Sequence, residues 1–112
     1  MEFTEAARRE FAEKSRGLAV LRSDRLVRAL ASVPRQEFVG PGPWQILRPS
    51  EFGRGCVATP DADARRLYDN VLIALDASRQ LNSGEPAALA RWLDSLALAP
   101  GDRFLHVGCG VG

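Results

Sequence analysis

Residues 104–112 read FLHVGCGVG. An apolar run, Phe104 to Val107, is followed by glycines at alternate positions, Gly108, Gly110 and Gly112. The pattern predicts a buried strand over Arg103–Val107 that hands over to a tight loop. Without a Cβ, glycine lets a loop bring its amide N–H groups close to a ligand, although short glycine patterns also serve as plain structural turns. Which of these applies depends on what surrounds the stretch.

Immediately upstream, Pro100-Gly101-Asp102 predicts a turn, and before it comes a strong helical pattern. Pro86 suits a first helical turn, with Ser83 or a neighbour as cap, and Leu89, Trp92, Leu93 and Leu96 fall on one face. Further back, the apolar run VLIAL (71–75) reads as a strand or extended buried segment, and 76–84 as polar and turn-like. Ala64–Asn70 can form a helical turn. Residues 40–63 are rich in turn formers, with Trp44, Ile46, Leu47 and Phe52 scattered among them. They form either an ordered excursion that packs its aromatics or a flap over a ligand site. At the amino-terminal end, Ser23 is a good N-cap for a helix whose stripe is Leu26, Val27, Leu30 and Ala31, ending near Val33 because Pro34 follows. A first helix is expected over Thr4–Arg16, with Phe3, Ala7, Phe11 and Ala12 on one side and Gly17 as its stop.

Composition narrows the function classes. The 112 residues are 46% hydrophobic, the size of one modest domain. Fifteen Lys and Arg against fourteen Asp and Glu leave a formal charge of +1, which gives no electrostatic case for nucleic acid or an anionic membrane. The early arginines alternate with acids, as on a solvated helix face. No apolar stretch approaches the roughly 20 residues that span a bilayer, and the charged start MEFTEAARREF lacks a signal peptide's apolar stretch, so a cytoplasmic location is expected. Cys56 and Cys109 form no CxxC pair and read as free thiols. The one histidine, His106, excludes a histidine-rich zinc site or a two-histidine relay, and no metal is expected.

The glycine spacing discriminates among nucleotide loops. A P-loop needs a four-residue gap between its glycines, and a dinucleotide loop, GxGxxG, puts its third glycine at position 113. The observed GxGxG is the spacing common in S-adenosylmethionine loops. Two stretches then agree with one family. DRLVRALASVPRQEFV (24–39) resembles the N-terminal signature of the protein-L-isoaspartate O-methyltransferases, a helix followed by VPRxxFV, and PGDRFLHVGCGVG (100–112) resembles that family's first S-adenosylmethionine motif. Between them, YDN (68–70) and VLIALDASRQLNSGEP (71–86) sit where the family carries its Y-x-D, LPIG, GQTIS and S-x-P elements.

This resemblance implies a Rossmann-like class I methyltransferase fold of the α/β class. Residues 1–70 would form an N-terminal helical region with a long linker (40–70), and 71–112 the start of the cofactor domain with the first strand of its sheet. It implies S-adenosylmethionine as cofactor, held by His106, Val107, Gly108, Cys109, Gly110, Gly112 and Gln80, and Ser83 at the junction of cofactor and substrate. The reaction would be methyl transfer to a carboxylate of damaged protein. The expected partner is therefore a protein or peptide substrate, with a small molecule as the alternative acceptor.

Three departures bear on these expectations. His106 stands where the family has Glu or Asp, and a neutral imidazole supplies no negative charge; it is either a ligand contact or a packed strand histidine. RQLNS (79–83) replaces GQTIS, which weighs more against isoaspartyl specificity than against cofactor binding. The linker is also long, which favours an altered substrate. With one strand of a seven-stranded sheet in hand, the chain is expected to be the front of a longer enzyme, inactive and a poor cofactor binder alone. Calorimetric titration tests this expectation, which micromolar binding by residues 1–112 overturns. The competing reading is a non-catalytic helical interaction domain with a glycine tail.

Overall fold

The computed structural model describes residues 2–51 and 53–111, so Phe52 and Gly112 lie outside the described residues. Helix α1 (Glu2–Ala19) is built on Phe11, Ala12, Ser15 and Ala19, which recur every three to four residues and are all buried. Phe3 does not join them. It is 74% exposed, and the Arg65 guanidinium lies 5.8 Å from its ring centroid. Nor does Gly17 stop the helix. The chain turns at Val20, which takes the left-handed conformation at φ 54°, while Leu21 N–H donates to the Arg16 carbonyl at 3.0 Å. Ala19 and Leu21 on either side are both buried, so packing places the turn where a β-branched residue is strained. Replacing Val20, itself 76% exposed, with glycine should therefore raise the thermal midpoint, by about 1 kcal/mol of stability. An unchanged or lower midpoint would contradict the strain argument.

Helix α2 (Asp24–Ser32) starts and stops where its sequence places it. The Ser23 Oγ accepts the Leu26 N–H at 3.2 Å, and Val33 is the C-cap before Pro34. Helix α3 (Pro86–Ser95) forms as expected but buries a different face. Ala87 and Ala90 go inward, whereas Trp92 is 66% and Leu96 54% exposed. Small alanines allow a close approach to Ala12 and Ala19 of α1 in the helical core, which leaves the larger side chains to the flanks. The cap of α3 is not Ser83. Asn70 reaches across from another segment: its Oδ1 accepts the Ala87 N–H at 2.9 Å, and its Nδ2 donates to Glu85 Oε1 at 3.1 Å. Asn70→Ala removes both bonds and should lower stability by about 1–2 kcal/mol in urea unfolding. A loss no larger than that of Asn82→Ala, at an exposed position where the side chain accepts a local N–H from Gly84, would remove the capping role.

The turn-rich stretch 40–63 is an ordered excursion. It contains β1 (Gln45–Leu47) and β2 (Val57–Ala58), which pair antiparallel with Ile46 opposite Val57. On its other edge β1 pairs antiparallel with β3 (Leu72–Asp76), and β3 pairs antiparallel with β4 (Leu81–Asn82) across an irregularity between Ala74 and Asp76. The order is β2-β1-β3-β4. Trp44, Leu67, Val71 and Ile73 form a second core beneath this sheet, with Val39 and Ile46 packed against it. Two expectations meet this sheet differently. A strand over 71–75 is present, one residue displaced. The strand pairs of the described residues are all antiparallel, and the segment expected to be the first strand of the Rossmann-like sheet, 103–107, is not among them. The boundary at residue 70 falls inside the sheet, between β1 and β3.

The Pro100-Gly101-Asp102 turn is formed, closed by bonds between Ala99 and Asp102 in both directions. Beyond it, Arg103–Val107 is neither buried nor a strand. Leu105 and Val107 are each 84% exposed, and among the described residues no strand pairs with this segment. A strand needs a neighbour to satisfy its ladder, and among the described residues this segment has none.

Candidate functional site

The VPRQEFV stretch leaves α2 at Val33 and turns through a short 3-10 helix, Arg35–Glu37. That turn drives the Arg35 side chain inward. Its Nη1 donates to the Leu67 carbonyl and, at 3.2 Å, to the Asp69 carbonyl; its Nη2 donates to the Val71 carbonyl at 3.3 Å. The guanidinium lies 5.3 Å from the Phe11 ring centroid, and its backbone N–H donates to the Tyr68 hydroxyl at 3.1 Å. Tyr68 in turn donates to Gln36 Oε1 and stacks edge-on against Phe11 at 5.9 Å. One arginine thus joins α1, the turn after α2 and the YDN segment. Burial pushes its pKa down to about 10, against the pull of Tyr68 and Asp69, so it stays a cation at neutral pH.

Asp69 faces outward from the same segment. Its carboxylate receives Lys14 Nζ at 2.5 Å and Arg48 Nη1 at 2.7 Å, and accepts the Asn70 N–H at 2.8 Å. Partial burial alone would raise its pKa, but the Lys14, Arg48 and Asn70 bonds outweigh it and hold the carboxyl at about 2. A folded pKa below the unfolded value of ~3.9 means that this contribution is complete above about pH 4 and lost as pH falls towards 2. Asp69→Asn should therefore flatten the acid limb of a stability-against-pH curve. Asp63, held at about 2 by Arg65, titrates in the same window, so Asp63→Asn should flatten the limb as well. An acid limb left unchanged by Asp69→Asn would deny Asp69 this contribution.

Two depressions flank this frame. A polar cleft of about 470 Å³ is lined by Arg48, Glu51, Thr59, Arg65, Arg66 and Asp69. Its arginines are already matched: Arg48 with Asp69, Arg65 with Asp63, Arg66 with Asp61. The other is an apolar groove of about 430 Å³ between α2 and α3, walled by Leu26, Leu30, Leu89 and Leu93, with Arg35 as its one charged lining residue among those described.

The expected site residues are only partly brought together. Ser83 and Val111 both line the apolar groove, so the end of the glycine segment and the proposed junction residue share one cavity. Ser83 is engaged, however: its Oγ accepts the Ile73 N–H at 2.9 Å and its own N–H donates to the Ile73 carbonyl at 2.9 Å. Gln80 is separate. It sits exposed at φ 56° on the β3–β4 turn and does not line the groove. His106, Val107, Gly108 and Cys109 are exposed, and the His106 ring lies 6.2 Å from that of Phe104. Gly108 and Gly110 take φ 73° and 61°, a conformation that favours glycine, and a Cβ at Gly110 would come 3.8 Å from Leu75. Such a loop suits the polar end of a nucleotide-like ligand. The groove beside it does not suit a sulfonium, since it offers no carboxylate and one guanidinium of the same sign.

No protein-family model, curated protein or solved structure matches the chain. The residues that organise the site, Arg35, Asp69 and Asn70, had a signal in the sequence, because they lie inside VPRQEFV and YDN. Their individual roles depend on partners more than 15 residues away and leave no local mark.

Proposed function

We propose that this protein is an S-adenosylmethionine-dependent methyltransferase similar to the protein-L-isoaspartate O-methyltransferases, transferring a methyl group to a carboxylate of a protein or peptide. The observation that carries the reading is the pair VPRQEFV and PGDRFLHVGCGVG in this order within one chain. The positive φ angles of Gly108 and Gly110 support it, since they suit a loop that offers backbone amides. A carboxylate acceptor is ionised at neutral pH, so the chemistry rests on alignment and needs no strong general base. The absence of a carboxylate at position 106 and the engagement of Ser83 with Ile73 favour a divergent acceptor as the second reading, a small molecule or another protein group. No helix among the described residues is long and apolar enough to cross a membrane.

The test is methyl transfer from labelled S-adenosylmethionine to a matched pair of isoaspartyl and aspartyl peptides, using the protein that carries this chain. The leading reading expects transfer to the isoaspartyl peptide only. Gly108→Val should weaken cofactor binding by about tenfold or more, ~1.4 kcal/mol, because a β-branched residue is strained at φ 73° and distorts the loop; nothing lies within 4 Å of a Cβ there, so the thermal midpoint should fall only by that strain, about 1 kcal/mol. Cofactor binding with neither peptide methylated selects the divergent acceptor. Neither binding nor transfer sinks both.

A further inference from the structure

We propose that the groove between α2 and α3 binds a small amphipathic carboxylate, its acid group on the open edge of the Arg35 guanidinium and its hydrocarbon against Leu26, Leu30, Leu89 and Leu93. The inference is independent of any methyl-transfer role.

The argument begins with donors. A guanidinium carries five N–H groups, and Arg35 spends three, on the carbonyls of Leu67, Asp69 and Val71. Its Nε–H and one Nη2–H have no acceptor among the described residues. Nε and Nη2 are neighbours on the planar fork, spaced to meet the two oxygens of one carboxylate. Nε is not sealed in, since no buried side-chain nitrogen or oxygen among the described residues lacks a partner. Arg35 is the charged residue among those lining the groove.

Charge points the same way. Every hydrogen-bond acceptor on the guanidinium among the described residues is a neutral carbonyl, and the carboxylate whose charge acts on it, Asp69, is committed to Lys14 and Arg48. The depressed pKa of Arg35 reflects burial without a directly bonded anion, and an incoming carboxylate relieves that penalty. Chemistry and size limit the ligand. The walls are otherwise apolar, with one hydroxyl, Ser83, already bonded to Ile73 and Gly84. A polyphosphate or sugar would strand its polar groups, and a cation would face Arg35. About 430 Å³ suits a small molecule with one acid group and an aliphatic or aryl body. The polar cleft on the other side competes poorly for anions because its arginines are each neutralised in place.

Calorimetric titration with octanoate, 1-octanol and octyltrimethylammonium tests this without altering a residue that holds the fold. Octanoate should bind about tenfold or more tightly than octanol, as expected for charge-assisted bonds, and the ammonium should not bind. Ala29 is exposed and lines the groove, so Ala29→Phe fills it without removing a buried contact. That variant should weaken octanoate by a similar factor while keeping its thermal midpoint. Octanol binding as tightly as octanoate would overturn the role of Arg35. Octanoate affinity unmoved by Ala29→Phe would overturn the groove, and absence of any octanoate binding would overturn both.

Discussion

Arg35→Met should remove about 3–5 kcal/mol of stability, a large part of the roughly 5–15 kcal/mol that holds a domain of this size. The substitution keeps the hydrocarbon against Phe11 but leaves the carbonyls of Leu67, Asp69 and Val71 without their donor. Leu67 and Val71 are completely buried, so water cannot replace the guanidinium without opening the sheet's core. Arg35→Lys should recover only part of the loss. An ammonium supplies three donors from one point, whereas the planar fork spreads its bonds over three acceptors. Urea unfolding followed by circular dichroism measures both variants. A loss below about 1 kcal/mol for Arg35→Met would mean that the three carbonyls find other partners.

Trp44→Ala is the second large effect, expected at about 3–5 kcal/mol. The ring is 7% exposed and packs with Leu67, Val71 and Ile73, while its Nε1 donates to the Gly40 carbonyl at 3.0 Å. Backbone bonds lock it further. Trp44 N–H donates to Thr59 Oγ1 at 3.0 Å, and Thr59 N–H donates to the Trp44 carbonyl at 2.7 Å. The excursion therefore wraps an anchor, which makes a mobile flap an unsuitable description of Trp44. Fluorescence supplies an independent check. Trp92 is the other tryptophan and is exposed, so the folded variant should emit only at the red wavelengths of a hydrated indole. A blue component that survives Trp44→Ala would contradict this burial.

How legible the fold was depended on how local its causes were. The Ser23 cap, the Pro34 stop and the Pro86 start are contained within a few residues, and α2 and α3 form where those signals lie. Which face of α3 turns inward was not local. Leucine spacing suggested Leu89, Trp92, Leu93 and Leu96, but the close approach of α1 selected Ala87 and Ala90. Likewise Gly17 offered a helix stop, whereas burial of Ala19 and Leu21 moved the turn to Val20. In the stretch 40–63 turn formers hid two short strands, because strands of two or three residues carry too little alternation to read. For the site, the glycine conformations at 108 and 110 could be anticipated from composition alone. The inward turn of Arg35 could not, since its acceptors lie more than 30 residues away.

The bonds that tie α3 to the beginning of the chain govern the order in which a growing polypeptide can settle. Asp94 accepts the Ser23 N–H at 2.9 Å across 71 positions, and Arg91 donates to the Leu18 carbonyl at 3.2 Å across 73. Ala12 and Ala19 are covered by Ala87 and Ala90. While the ribosome is still adding these residues, α1 and α2 have formed turns but no lid over their apolar stripe. At about 5–20 residues per second, that interval lasts several seconds. During synthesis the amino-terminal helices are thus an open half-core until α3 is released to cover them.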